Sequence, residues 1–296
     1  NISNKLSNIF ESYAFYETHM KALIINVTDD EISFINENFE LGSINWSDQY
    51  YWAREQISIN ELGPKPNNFT QILSFGDFIY LKIDNNLYTL DQIPNVESSL
   101  ISINPNYGDV IAYVGGKNFN ESNFDRVRLS FPQTGSSFKP FIYSSSLASG
   151  YNLSSLINDA PIVFEDENLE SEWRPQNYTG DFYGPISIRD ALVKSVNIVS
   201  IKLLRELGIE NSHEYLNNFG FKKSRLPKDL SLALGSGNFS PAEMVRAYSV
   251  IANRGFIPDI YFIDSIKDMD GNNIFSQNEY DTQFNNQNIS AFPWLD

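Results

Sequence analysis

Cysteine is absent from this chain of 296 residues, and histidine occurs only twice. The absence of cysteine excludes disulfide bonds, thiolate metal sites and a thiol nucleophile. His19 and His213 lie far apart in the sequence, and neither belongs to a motif typical of a Ser-His-Asp triad or a histidine metal site. We therefore expect no metal ion. If the chain is an enzyme, we expect its base to be a lysine or a carboxylate.

Basic residues and long apolar runs are also scarce. The chain has 21 Lys and Arg residues against 37 Asp and Glu residues, a formal net charge of -16, with no basic stripe to offset it. This charge excludes nucleic acid as a partner, because it repels phosphate. No uninterrupted apolar run is long enough to span a bilayer, and no signal-peptide pattern opens the chain. The chain begins with Asn1, so we expect it to be an excerpt of a longer protein.

The residues that are present predict a folded chain with a packed core. Hydrophobic residues make up 42% of the sequence and charged residues 20%, a balance typical of globular proteins and not of disordered ones. The length indicates one large domain with a smaller one, or two ordinary domains.

The apolar pattern changes along the chain. Apolar residues at helical spacing predict a linker helix within residues 1–20. Residues 21–91 predict a small β barrel or sandwich, because short β-type runs alternate with turns. These runs are Leu23–Val27, Ile32–Ile35, Ile72–Leu73, Phe78–Ile83 and Leu87–Leu90. A hairpin is then predicted from Leu100–Ile103 and Val110–Val114, and the periodicity is helical for most of the rest.

Three helix starts carry capping signals. Ser187 is expected to cap a helix from Ile188, and Asn197 to cap a helix from Ile198 to Glu206. Ser240 is followed by proline and, three residues on, by glutamate, which predicts a capping box.

The most informative stretch runs from Gly135 to Phe141 and contains Ser136 and Lys139, three residues apart. On a helix these positions share a face, so the lysine amine can reach the serine hydroxyl. Burial and the positive end of a helix both lower a lysine pKa, which a base requires. About one Ser-x-x-Lys match is expected by chance in this sequence, but Gly135 before the motif and the Lys-Pro-Phe that ends and follows it make the signal more specific.

A second element, Ser195-Val196-Asn197, is predicted to lie in a loop between two helices. Both polar side chains are then free to point into a cleft, and a loop serine can relay a proton to a leaving amine. The alternative is that Asn197 only caps the helix after it.

Ser-x-x-Lys followed by Ser-x-Asn resembles the penicillin-recognising serine enzymes. From about Leu90 to Gly271 the sequence is similar to the transpeptidase domain of class A penicillin-binding proteins, especially the 1A type of Gram-negative bacteria. The β-rich segment before it stands where 1A-type proteins carry an inserted OB-like domain. The matching stretches are Asp91–Pro94, Ala112–Gly116, Gly135–Tyr143, Trp173–Tyr178, Phe182–Pro185, Ser195–Ile201, Leu232–Gly237 and Ala252–Gly255.

The resemblance implies an α+β fold. A small OB-like β domain would occupy residues 21–91. A penicillin-binding transpeptidase domain would occupy residues 92–296, truncated at its C-terminus and mostly helical, with one β-hairpin of the central sheet. The family's third motif, Lys-Thr/Ser-Gly, does not occur in the chain, and we expect it beyond residue 296.

The resemblance also implies a reaction. Ser136 would attack the penultimate D-alanine carbonyl of a peptidoglycan stem peptide, with Lys139 as the base. Ser195 would carry the proton to the leaving amine, and Asn197 would hold Lys139 and the substrate amide. The acyl-enzyme would be resolved into a cross-link by a second stem peptide, or by water as a carboxypeptidase. β-Lactams would trap Ser136.

Further expectations follow from the same resemblance. Ser137, Trp173 and Tyr183 would contact the substrate, and no cofactor is implied. A glycosyltransferase domain and a membrane anchor would lie upstream, which would place the protein at the periplasmic side of a bacterial inner membrane. Regulators of cell-wall synthesis are possible partners of the β domain. Two alternatives stay open: a β-lactamase or β-lactam sensor, and a non-catalytic cell-wall scaffold.

Overall fold

A computed structural model describes residues 2–58, 61–84, 87–94, 96–162 and 173–277. The chain divides into two compact units, Asn1–Glu97 and Ser98–Asp296. The division lies six residues after the boundary expected from the sequence, at Asp91. Within the described ranges, no helix has both the length and the apolar character needed to cross a membrane.

The first unit is a small antiparallel β structure preceded by one helix. Five strands form a sheet in the order β3-β2-β1-β6-β7, and β4 pairs with β5 in a separate hairpin. The elements are α1 (Ile2–Glu11), β1 (Met20–Val27), β2 (Glu31–Asn36), β3 (Leu41–Asn45), β4 (Gln56–Ser58), β5 (Glu61–Leu62), β6 (Phe78–Asp84) and β7 (Leu87–Asp91).

Alternation of apolar residues sets which side of each strand is buried. In β2, Ile32 and Phe34 are fully buried while Glu31 is exposed.

Residues Ile72 and Leu73 were expected to form a strand, and this expectation is wrong. They follow a 3-10 turn, Phe69–Gln71, which the side chain of Asn68 caps. The core consists of Ala22, Ile24, Ile32, Phe34, Ile44, Tyr50, Phe69, Ile79, Leu81 and Leu90.

The N-terminal residues belong to this β unit and do not form a separate linker. Phe10 is buried, and the ring of Tyr13 stacks on Phe78 with centroids 3.5 Å apart. The buried amine of Lys21 donates hydrogen bonds to the carbonyl oxygens of Phe10 and Tyr13, both at 2.8 Å. These bonds tie the last turn of α1, and the residues just after it, to the first strand of the sheet.

The second unit is mostly helical. Its strands form pairs, β8 with β9, β10 with β11 and β12 with β13. The elements are β8 (Leu100–Ile103), β9 (Val110–Val114), α2 (Arg126–Leu129), α3 (Lys139–Ala148), β10 (Leu156–Asp159), β11 (Gly184–Ser187), α4 (Ile188–Val193), α5 (Asn197–Leu207), α6 (Ile209–Leu216), α7 (Pro241–Ala252), β12 (Ser265–Lys267) and β13 (Asn273–Ser276).

Several local predictions are confirmed in this unit. The hairpin of β8 and β9 has the predicted strand ends, with Leu100 opposite Val114. Ser187 caps α4 by accepting from the N–H of Asp190. The capping box that opens α7 is formed by Ser240 and Glu243. Each of these features depends on residues close in sequence, so the sequence pattern suffices to predict it.

An aromatic core supports the start of α3. Phe138 and Phe141 are fully buried and pack against three phenylalanines from two later segments of the chain, Phe219, Phe221 and Phe239. Such edge-to-face and stacked contacts contribute beyond the area they bury. The cluster consists of Phe138, Phe141, Ile142, Ile201, Leu204, Leu216, Phe219, Phe221, Leu226, Leu232, Ala233, Phe239, Ala247 and Val250. It fixes α3 against α5 and α7.

Candidate active site

Ser136 and Lys139 lie at the junction between a 3-10 turn, Gly135–Phe138, and helix α3. The sequence predicted both residues on an α-helix, but Ser136 lies in the tighter turn before it. The difference keeps the two residues on one side, because positions i and i+3 eclipse one another in a 3-10 helix. Ser136 is exposed, whereas Lys139 is only 1% exposed. Pro140 follows Lys139 in the first turn of α3, where a missing N–H breaks no helix hydrogen bond.

A backbone ladder holds the turn from the side of residues 235–239. The N–H of Gly135 donates to the carbonyl of Gly235 at 2.9 Å, and the N–H of Thr134 donates to that of Gly237 at 3.1 Å. Gly235 has φ of +75°, and a β-carbon there would lie 1.8 Å from the carbonyl oxygen of Gly135. Only glycine allows this approach. From the other side, the hydroxyl of Tyr248 donates to the carbonyl of Ser137 at 2.6 Å.

Lys139 reaches across to the Ser195–Asn197 segment. Its amine donates to the carbonyl oxygen of Ser195 at 2.6 Å, to the hydroxyl of Ser195 at 3.0 Å and to Oδ1 of Asn197 at 2.7 Å. Ser195 has φ of +53°, a left-handed conformation that is unfavourable for serine. With this backbone conformation, both oxygens of one residue contact the same amine.

Burial sets the charge of the lysine. It lowers the pKa of Lys139 from the usual 10.5 to about 8, because a buried ammonium loses its hydration. Among the described residues no carboxylate pairs with this amine; its hydrogen-bond partners are neutral oxygens. A lysine with such a pKa carries a sizeable neutral fraction near physiological pH, as a base requires.

Asn197 has a different local role from the one expected for a cap. Val196 is the N-cap of α5, and Asn197 is the first helical residue. The side chain of Asn197 points to Lys139 through Oδ1 and to the carbonyl of Gln176 through Nδ2, at 2.9 Å. The prediction that Asn197 caps its own helix is therefore wrong. Since its side chain is already committed to Lys139 and Gln176, the N-terminal N–H groups of α5 bond instead to Asn177.

The three residues expected to contact substrate lie in different surroundings. The hydroxyl of Ser137 donates to the carbonyl of Thr134 at 2.6 Å. Trp173 is partly buried and packs against the aromatic core. Tyr183 is 45% exposed, with the amine of Lys194 4.9 Å from its ring centroid.

The structure therefore brings Lys139, Ser195 and Asn197 into direct contact. The hydroxyl of Ser136 lies in the adjoining turn and is not among the hydrogen-bond partners found for the Lys139 amine in the described part of the chain. Sequence reasoning missed the contribution of Asn177, which bonds to the start of α5. Its only signal is its place in the matching stretch Trp173–Tyr178. Across the described ranges, no group of three His, Asp or Glu side chains is placed to hold a metal ion.

Known protein families match both parts of the chain. Residues 99–292 match the penicillin binding protein transpeptidase domain, and residues 2–96 match the penicillin-binding protein OB-like domain. This chain belongs to the penicillin-binding protein transpeptidase family. The expected combination of a transpeptidase domain and an OB-like domain is confirmed.

Two members of the family are similar to the chain over most of its length. It is 41% identical to penicillin-binding protein 1A of Pseudomonas aeruginosa over 87% of its own length and 31% of that protein. It is 35% identical to penicillin-binding protein 1A of Vibrio cholerae over 93% of its length and 34% of that protein. The chain thus spans about a third of the length of these curated relatives.

A solved relative has the same fold. The crystal structure of penicillin-binding protein 1A from Haemophilus influenzae superposes with a TM-score of 0.71 at 30% identity, covering 92% of this chain and 39% of that one. The expected resemblance to the 1A type of penicillin-binding proteins is therefore confirmed, both in sequence and in structure.

Proposed function

We propose that this chain is part of a peptidoglycan D,D-transpeptidase that cross-links stem peptides through an acyl-enzyme on Ser136. The contact that carries the proposal is the buried amine of Lys139 held against Ser195 and Asn197, one turn from Ser136. Membership of the penicillin-binding family supports this reaction class, and also supports β-lactams as ligands of the same serine. It favours a transpeptidase over the β-lactamase and scaffold alternatives.

The first step is acylation. The neutral amine of Lys139 takes the proton of the Ser136 hydroxyl as its oxygen attacks the carbonyl carbon of the penultimate D-alanine. The bond between this carbon and the nitrogen of the terminal D-alanine then breaks. The nitrogen leaves as an amine after taking a proton from Lys139 by way of Ser195. An ester to Ser136 remains.

The second step consumes the ester. An amine from a neighbouring stem peptide attacks the ester carbonyl, and its proton passes to the lysine. The bond between the carbonyl carbon and the Ser136 oxygen then breaks, and the lysine returns the proton to this oxygen, which restores the hydroxyl. The product is a cross-link; water in place of the amine gives a trimmed peptide. Both steps need Lys139 to alternate between its neutral and charged forms, which a pKa of about 8 allows.

The contacts of Lys139 suggest how the proton moves. The carbonyl of Ser195 and Oδ1 of Asn197 can only accept hydrogen bonds, so they retain the two N–H groups of a neutral lysine. The hydroxyl of Ser195 both donates and accepts. It can therefore yield its place on the amine to Ser136 during acylation and then carry the proton to the leaving group.

We further propose that the whole protein is a bifunctional synthase anchored in the inner membrane and facing the periplasm. The basis is the 1A-type relatives, which are about three times as long as this chain. The OB-like unit is proposed to bind regulators of cell-wall synthesis, and Ser137, Trp173 and Tyr183 to contact the stem peptide.

Labelling with a fluorescent penicillin tests the nucleophile. In the full-length protein that carries this chain, Ser136→Ala is expected to abolish covalent labelling, because no oxygen remains to form the ester. Ser154→Ala is the matched control and is expected to label normally, since this exposed loop serine bonds to its neighbour Asn152 and, among the described residues, to none of the active-site side chains. Labelling that survives Ser136→Ala would locate the nucleophile elsewhere.

A further inference from the structure

Helix α5 begins without a cap from its own sequence. Its N-cap, Val196, has no side-chain oxygen, and Asn197 directs its side chain toward Lys139 and Gln176. The first N–H groups of a helix have no acceptor within the helix. An acceptor for the start of α5 must therefore come from elsewhere in the chain.

Asn177 supplies this acceptor from 20 residues upstream of Asn197. Its Oδ1 accepts from the N–H of Asn197 at 3.0 Å and from the N–H of Ile198 at 3.3 Å. Asn177 thus takes the place of an N-cap from a distance in sequence, and it bonds to the first and second N–H groups of the helix. The preceding residue, Gln176, contributes as well, because its carbonyl accepts from Nδ2 of Asn197.

Asp159 orients the amide of Asn177. The Nδ2 group of Asn177 donates to both carboxylate oxygens of Asp159, at 3.1 and 2.9 Å, and to the carbonyl of Asp181 at 2.9 Å. Asp159 is fully buried and also accepts from the N–H of Tyr183 at 2.8 Å. These oxygens only accept and the helix N–H groups only donate, so the amide fits in one orientation.

Both halves of Asn197 are held by this arrangement. Asn177 fixes its backbone, and Gln176 fixes its Nδ2. The remaining group, Oδ1, then faces the amine of Lys139 at 2.7 Å. Without these contacts, the first residue of α5 can fray, and Asn197 loses the geometry that aims it.

We propose that Asn177, oriented by Asp159, is a positioning residue that aims Asn197 at the Lys139 amine. The inference rests on the proposed function, because the consequence appears in the acylation step. Asn177 acts through Asn197, so its loss should slow acylation more than it weakens the first, non-covalent binding of a β-lactam.

The test measures these two quantities separately in the full-length protein. The rate of labelling as a function of fluorescent penicillin concentration gives both initial binding and the acylation rate constant. For Asn177→Ala we expect the acylation rate constant to fall by about tenfold or more, the size of effect seen for residues that orient metal ligands, with a smaller change in binding. Ser240→Ala is the control, because it removes the cap of α7 and should lower thermal stability while leaving acylation unchanged.

A reversed pair separates positioning from stability. Asn177→Asp keeps an acceptor for α5 but sets a second carboxylate against Asp159, so acylation should slow. Adding Asp159→Asn restores a donor opposite the new carboxylate, and part of the acylation rate should return.

Two results would overturn the inference. In the first, the folded Asn177→Ala variant acylates at the wild-type rate. In the second, acylation by this variant slows only as much as its smaller folded fraction accounts for. Either result leaves labelling at Ser136 intact, so the proposed function would stand. Absence of labelling in the unmutated protein would instead reject the proposed function and, with it, this inference.

Discussion

Replacement of Gly235 by alanine probes how closely the serine turn is held. A β-carbon at this position would lie 1.8 Å from the carbonyl oxygen of Gly135 and 2.5 Å from its carbonyl carbon. Such contacts require at least 3.0 Å, so the two backbones must separate by about 1.2 Å. Whichever side moves, the 2.9 Å hydrogen bond from Gly135 to Gly235 lengthens beyond use.

This displacement acts directly on the proposed nucleophile. Ser136 follows Gly135, and a misplacement of about 1 Å at a reacting group lowers the rate about 100-fold. We therefore expect Gly235→Ala to slow labelling by fluorescent penicillin about 100-fold in the full-length protein. The left-handed backbone at this position, φ +75°, adds a stability cost of about 1–2 kcal/mol.

Gly271→Ala is the control for the stability cost of a left-handed backbone. Gly271 has φ of +87°, but nothing lies within 4 Å of where its β-carbon would be. The Gly271→Ala variant should lose thermal stability without a matching loss of labelling rate. Labelling of Gly235→Ala at the wild-type rate, with the protein folded, would refute the contact between the two glycines as a support of the active site.

Two further predictions concern pH and the first unit. Acylation needs neutral Lys139, whose pKa is lowered by burial to about 8. The labelling rate should therefore rise about tenfold between pH 7 and pH 9 and then level off. A labelling rate that does not change with pH would exclude Lys139 as the base. Phe34→Ala should lower the free energy of unfolding of the OB-like unit by about 3–5 kcal/mol, because this side chain is fully buried. Chemical denaturation measures the loss, and a value near zero would mean that Phe34 is not packed as described.

The sequence by itself determines the features that depend on near neighbours. The capping box at Ser240 and the β8–β9 hairpin each need only a few consecutive residues, and both form as predicted. The pattern of Ser136 and Lys139 likewise marks the candidate site, because three residues make one turn. Local reasoning fails at Ile72, where the cap at Asn68 favours a 3-10 turn over a strand.

Tertiary structure decides the rest of the site. Asparagine is a residue type that favours helix caps, yet the side chain of Asn197 bonds to Lys139. The start of α5 is bonded by Asn177 instead. Gly235 ends a 3-10 turn with a positive φ, which is a local reason for glycine, but its close approach to Gly135 exists only in the folded chain. These relations join segments that meet only when the aromatic core has packed. A hydrogen bond between distant segments leaves no periodic signal in a single sequence, and so only the folded chain reveals it.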